Sequence, residues 1–142
     1  GMSLVHPATC VAVHGRAVLI EGPSGSGKSA LALALIDRGA VLIGDDGVTL
    51  EQRGNALLAS PPPRIAGLLE VRNLGLLTFP VAQDVPVALV LRLDPDAPRF
   101  VDAAEAAELA GASLPLLRLW PGGPLNAIKA ELALARYGLG TS

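Results

Sequence analysis

The residues best able to do chemistry stand in one run, Gly22-Pro23-Ser24-Gly25-Ser26-Gly27-Lys28-Ser29. Gly22, Gly27, Lys28 and Ser29 satisfy the phosphate-loop pattern G-x-x-x-x-G-K-[ST]. The glycines let the backbone wrap closely, so that successive N–H groups face phosphate oxygens. A helix opening near Lys28 adds the positive end of its dipole. Lys28 would neutralise charge on the β- and γ-phosphates, and the Ser29 hydroxyl would hold Mg²⁺. The motif points to a nucleoside triphosphate, with ATP and Mg²⁺ as the expected ligands.

A phosphate loop that supports chemistry needs a further carboxylate after an apolar strand, to hold Mg²⁺ or to take a proton. Two places qualify. Asp45 and Asp46 follow the apolar residues 41–43, and Asp94 follows the longer apolar run 87–93. Spacing alone leaves both open. Asp94-Pro95 also reads as the start of a turn. Asp45 beside Asp46 supplies the neighbouring charge that makes a carboxylate a better proton acceptor. Glu70 and Arg72 are set inside an apolar stretch, residues 65–79. They are either site residues or a cross-strand ion pair, which stabilises little when exposed.

The elements that must position these groups can be read from apolar periodicity. Residues 11–13 and 17–20 are short apolar runs split by His14-Gly15-Arg16, which predicts a hairpin leading straight into the loop. Residues 29–37 are rich in strong helix formers, and Arg38-Gly39 supplies a stop. Residues 41–43 predict a buried strand, 48–50 and 56–59 a second hairpin, 87–93 the clearest buried strand, and 116–120 another strand. Residues 102–109 (DAAEAAEL) predict a short amphipathic helix, and 125–137 a final one. The class is mixed α/β around a phosphate-loop core, in a single domain over residues 2–142. Met2 reads as the native start, with Gly1 set aside as a remnant.

Composition narrows the partners. With 51% hydrophobic and 17% charged residues the chain can bury a core, and disorder is excluded as its general state. A net charge of -2, with no basic run, argues against nucleic acid. No apolar run approaches the roughly 18 residues that a membrane span needs. The single cysteine, Cys10, cannot form an internal disulfide, which fits a cytoplasmic location.

Taken in order, three stretches resemble the catalytic domain of the bacterial HPr kinase/phosphorylases. They are Val18-Leu19-Ile20 running into GPSGSGKS, Arg38-Gly39 followed by a strand and Asp45-Asp46, and Leu68-Leu69-Glu70-Val71-Arg72-Asn73-Leu74-Gly75. The last is similar to the family signature L-[LI]-E-[IV]-R-G-[LI]-G. The resemblance covers nearly the whole chain and fits the short members that lack the N-terminal domain. It implies the phosphoenolpyruvate-carboxykinase-like P-loop fold, a mixed sheet with flanking helices. It implies a kinase that phosphorylates a serine of the phosphocarrier HPr, in many members also the reverse phosphorolysis, and assembly as hexamers. Asp46 would be the base that takes the serine proton, Glu70 a Mg²⁺ ligand beside Ser29 with Asp45 in the same metal site, and Arg99 a stabiliser of the transferred phosphate.

The chain also departs from the family pattern. The family histidine stands some fifteen residues before the first loop glycine. Here His6 lies one residue further out, with Pro7 next to it, and is expected to fill the place through a bulge. His14, followed by Gly15, reads as a turn residue. Ala30 stands where the family has glutamate. The late loop, residues 120–126, carries none of the family's arginines. The alternatives to a protein-serine kinase are a small-molecule kinase on the same scaffold and a nucleotide-sensing module without turnover.

Overall fold

The computed structural model describes residues 3–140. Alternation of side chains along the first strands sets the architecture. In β2 (Thr9–Val13) and β3 (Arg16–Glu21), Val11, Val13, Val18 and Ile20 point to one face, and Cys10, Ala12, Ala17 and Leu19 to the other. Both faces are buried, so each strand is apolar throughout and the sheet carries a core on each side. His14 and Gly15 both have positive φ, the conformation of a two-residue hairpin turn, and they bring β3 antiparallel to β2.

The remaining elements follow in chain order. They are α1 (Lys28–Asp37), β4 (Val41–Gly44), β5 (Val48–Arg53), β6 (Ala56–Ser60), β7 (Leu68–Val71), β8 (Gly75–Thr78), β9 (Val85–Leu93), β10 (Glu105–Leu109), β11 (Ala112–Leu119) and α2 (Asn126–Tyr137). With β1 (Ser3–His6) at one edge, the main sheet runs β1-β5-β6-β9-β3-β2-β4. It forks at β9. The start of β9 pairs with β6, and its end pairs parallel with β11, which in turn pairs with β10. The parallel neighbours β3 and β9 form the centre. Both helices pack over one face, where Leu31, Leu35, Ala130 and Leu134 meet Val18, Ile20, Leu89 and Leu91. The opposite face is covered by the β5–β6 and β10–β11 hairpins, through Leu50, Leu57, Leu114 and Leu116. None of the described helices is long and apolar enough to cross a membrane.

Most expected elements are present, within a few residues. The helix expected over residues 102–109 is not. Residues Glu105–Leu109 form a strand that pairs Glu105 with Leu116 and Leu109 with Ala112. The alanine-rich segment favours a helix locally, but Ala110 and Gly111 both adopt positive φ and turn the chain back on itself. Ala107 and Leu109 then pack on the sheet-side core, a burial that an isolated two-turn helix lacks. Strand β1, to which the sequence assigned no element, pairs antiparallel with β5. The stretch 65–79 contains the β7–β8 hairpin, separate from the main sheet. Leu69 anchors that hairpin in the helix-side core.

Candidate active site

The phosphate loop lies where β3 ends, and its shape follows from close packing. Gly22 has φ of 155°, and a Cβ there would stand 2.6 Å from Ser26 Oγ and 3.2 Å from Leu93 Cβ. The Ser26 amide donates to the Pro23 carbonyl at 3.0 Å, which closes the loop. Helix α1 then begins after Gly27 with no side-chain cap and no acidic residue in its first turn. Its first N–H groups therefore have no intrahelical acceptors and face the cleft as an anion receptor. Ser26 Oγ is buried without a hydrogen-bond partner among the described residues. A buried hydroxyl of that kind is costly unless a ligand oxygen meets it, so the loop fits a phosphate group.

The acidic partner of the loop is Asp45. Its Oδ1 accepts the Ser29 hydroxyl at 2.6 Å and the Thr9 hydroxyl at 3.1 Å, and its Oδ2 accepts the Glu70 amide at 3.1 Å. One carboxylate thus ties together β2, α1, the end of β4 and β7. Asp46 behaves differently. It sits in the left-handed region at φ 56°, and its side chain is 68% exposed, open to the cleft. Lys28 Nζ lies 3.3 Å from Asp46 Oδ1 and donates to the Gly22 carbonyl at 2.7 Å. The turn carrying the pair is tight, since a Cβ on Gly44 would collide with the Gly47 carbonyl oxygen.

These groups line a cleft of about 630 Å³ walled by residues 24–30, Leu33, Asp46, Glu70, Val71, Arg72, Pro121 and Gly122. Glu70 and Arg72 make no ion pair with each other within 4.0 Å, so the cross-strand alternative is not what the hairpin holds. Instead Arg72 Nη2 comes within 4.0 Å of the place where a Cβ on Gly25 would be, over the phosphate loop. Among the described residues no three His, Cys, Asp or Glu converge as a ready metal site. Ser29, Asp45 and Glu70 offer hard oxygen donors of the kind Mg²⁺ takes, with phosphate oxygens and water left to complete its shell.

Asp94, the other candidate carboxylate, is engaged elsewhere. The Asp96 amide and then Arg118 hydrogen-bond it and hold its carboxyl below the usual range. It caps a turn, and Arg118 bridges it to Glu105 in a surface network. His6 and Arg99 do not line the cleft. His6 Nε2 lies 2.9 Å from Glu21 Oε2, and Arg92 Nη2 donates to Glu21 Oε1 at 2.6 Å. Burial raises the Glu21 pKa, but the hydrogen bonds from Arg92 and His6 outweigh it and hold the carboxyl below its ordinary value. Arg99 stacks on Phe100 at 5.6 Å and lines a smaller pocket with Arg118, Trp120 and Lys129. Thr9 and the Glu21–Arg92 pair were not singled out from the sequence. Thr9 is one hydroxyl within an apolar run, and nothing in that run marks it.

Residues 2–82 match the family model described as the HPr serine kinase C-terminal domain. An HPr kinase/phosphorylase of Clostridium tetani is 46% identical over 70 residues, covering 49% of this chain and 23% of that protein. One from Lacticaseibacillus casei is 37% identical over 92 residues, covering 59% of this chain and 29% of that protein. The matched part thus spans about a quarter of the length of these relatives. A solved structure of the HPr(Ser) kinase/phosphatase from Coxiella burnetii superposes with a TM-score of 0.78 at 27% identity, over 94% of this chain and 88% of that one.

Proposed function

The chain belongs to the family of the HPr serine kinase C-terminal domain, and from that premise we propose that it is an ATP-dependent protein-serine kinase acting on an HPr-type phosphocarrier. The observation that carries this reading is the 2.6 Å hydrogen bond from Ser29 to Asp45. It couples the phosphate loop to a carboxylate pair whose second member, Asp46, opens onto the cleft beside Lys28.

The loop amides, the uncapped start of α1 and Lys28 bind and orient the triphosphate. Arg72 stands over the loop as a further cation for the transferred group. Ser29, Asp45 and Glu70 would hold Mg²⁺, which when bound neutralises developing phosphate charge. Asp46 accepts the proton of the partner's serine. The serine oxygen forms a bond to the γ-phosphorus, and the bond from that phosphorus to the oxygen bridging it to ADP breaks. Asp46 is suited to this work because it is exposed to the cleft, whereas Asp45 has three donors to satisfy.

A cytoplasmic location fits the buried, unpaired Cys10. Self-association, expected as a hexamer, fits the exposed apolar row Leu125, Ile128 and Leu132 on the outer side of α2. The test of function is incubation with γ-labelled ATP, Mg²⁺ and purified HPr, followed by location of the label. Label on an HPr serine is the expected result. ATP binding without transfer to HPr would leave the nucleotide-sensing reading in its place.

A further inference from the structure

Strand β2 lies between β3 and β4 and runs antiparallel to both. Its first residue therefore sits beside the ends of the two strands that deliver the phosphate loop and the Asp45-Asp46 turn. That residue is Thr9, paired with Ile20 and fully buried. Its surroundings are apolar, with Ala8, Cys10 and Ile20 equally inaccessible. A hydroxyl at such a place is costly unless both its donor and its acceptor capacity are used. Both are used here. Thr9 Oγ1 donates to Asp45 Oδ1 at 3.1 Å and accepts the Asp46 amide at 3.3 Å.

We propose that Thr9 is a positioning residue that gives the two adjacent carboxylates their separate tasks. Its donated bond holds Asp45 turned inward. There Oδ1 also receives the Ser29 hydroxyl proton, which leaves the lone pairs of Ser29 directed away from Asp45. Its accepted bond holds the Asp46 backbone in the left-handed turn at φ 56°, which sends the Asp46 side chain outward to Lys28 and the cleft. One hydroxyl thus separates a metal-site carboxylate from a proton acceptor one residue later. Thr9 itself does not line the cleft. The inference rests on the Mg²⁺ and ATP reading of the cleft, and does not depend on which protein accepts the phosphoryl group.

The test uses Thr9→Val, which keeps shape, volume and β-branching and removes only the hydroxyl, with Thr9→Ser as the variant that restores it. ATP affinity is measured by calorimetry with and without Mg²⁺, and phosphoryl transfer to HPr is followed in parallel. For Thr9→Val the metal-free affinity stays within about twofold, while the Mg²⁺-dependent gain in affinity falls roughly tenfold, in the range set by the loss of a group that orients a metal ligand. Transfer at saturating Mg²⁺ and ATP falls about as much or more, and Thr9→Ser recovers most of both. Equal loss in Thr9→Ser and Thr9→Val would overturn the proposal, since packing rather than the hydroxyl would then matter. So would a Thr9→Val protein whose Mg²⁺-dependent gain is unchanged. If the parent protein transfers nothing to HPr, the proposed function fails while the calorimetric arm still decides the role of Thr9.

Discussion

Replacing Ser26 by alanine should move stability and binding in opposite directions. In the ligand-free protein Ser26 Oγ is buried and unpartnered, packed so closely on Gly22 that a Cβ there would stand 2.6 Å away. A buried hydroxyl without a partner carries an unreturned desolvation cost of about 1–3 kcal/mol. Alanine removes that cost and leaves the 3.0 Å bond from the residue 26 amide to Pro23 in place. Taking the lower end, about 1 kcal/mol, the melting temperature should rise by roughly 3 °C for a chain of this length. If the loop takes ATP as proposed, a phosphate oxygen would be the acceptor this hydroxyl lacks. A hydrogen bond to a charged acceptor contributes about 1.5–3 kcal/mol, so its loss should weaken ATP binding roughly tenfold to a hundredfold. The assay is a thermal melt of the free protein beside a calorimetric ATP titration. A variant that melts lower than the parent and binds ATP as tightly would refute the view that this hydroxyl is kept unpaired for a ligand.

The same geometry carries four further outcomes. Asp46→Asn should keep ATP affinity and lower phosphoryl transfer to HPr by at least about 100-fold, the contribution of a positioned proton acceptor. Asp94→Asn should leave transfer within about twofold, because Asp94 is spent on Asp96 and Arg118; a steady-state comparison showing the reverse order would reassign the base. Glu21, held below its ordinary pKa by Arg92 and His6 against its burial, stabilises the fold above the ordinary glutamate range, and that stability fades as pH falls through the lowered folded value. Melts of Glu21→Gln and parent should therefore differ most near neutrality and converge in acid; a difference independent of pH would count against the network. Phosphorolysis of seryl-phosphorylated HPr places a second anion near the phosphoserine, and the cations lining the cleft are Lys28 and Arg72. Release of pyrophosphate from millimolar phosphate should accordingly be much slower than the forward reaction, and rapid release would show that these two cations suffice.

The elements nearest the chemistry were legible because their signals are local. The loop glycines, the helix after Lys28 and the strand before Gly22 are each specified within a few residues by steric freedom, propensity and apolar alternation. The β10 strand was not legible, because its alanines favour a helix until the Ala110-Gly111 turn and the buried face of β11 offer more burial. The placement of Arg99 in a separate pocket was likewise hidden, since a motif in a turn says nothing about which side of the sheet that turn will reach.

By itself the sequence determined the phosphate-loop motif and the short set of carboxylates that could stand near it. Only the tertiary structure decided which of those carboxylates stands beside the loop. Asp45, Asp46 and Asp94 all follow apolar strands, so pattern cannot rank them. The choice comes from strand order, which sets β4 beside β2 and within reach of the loop that follows β3, so that Ser29 and Thr9 meet Asp45 while Arg118 takes Asp94. Hydrogen bonds over such sequence separations depend on sheet neighbours, and sheet neighbours are decided by how the whole chain buries its apolar faces.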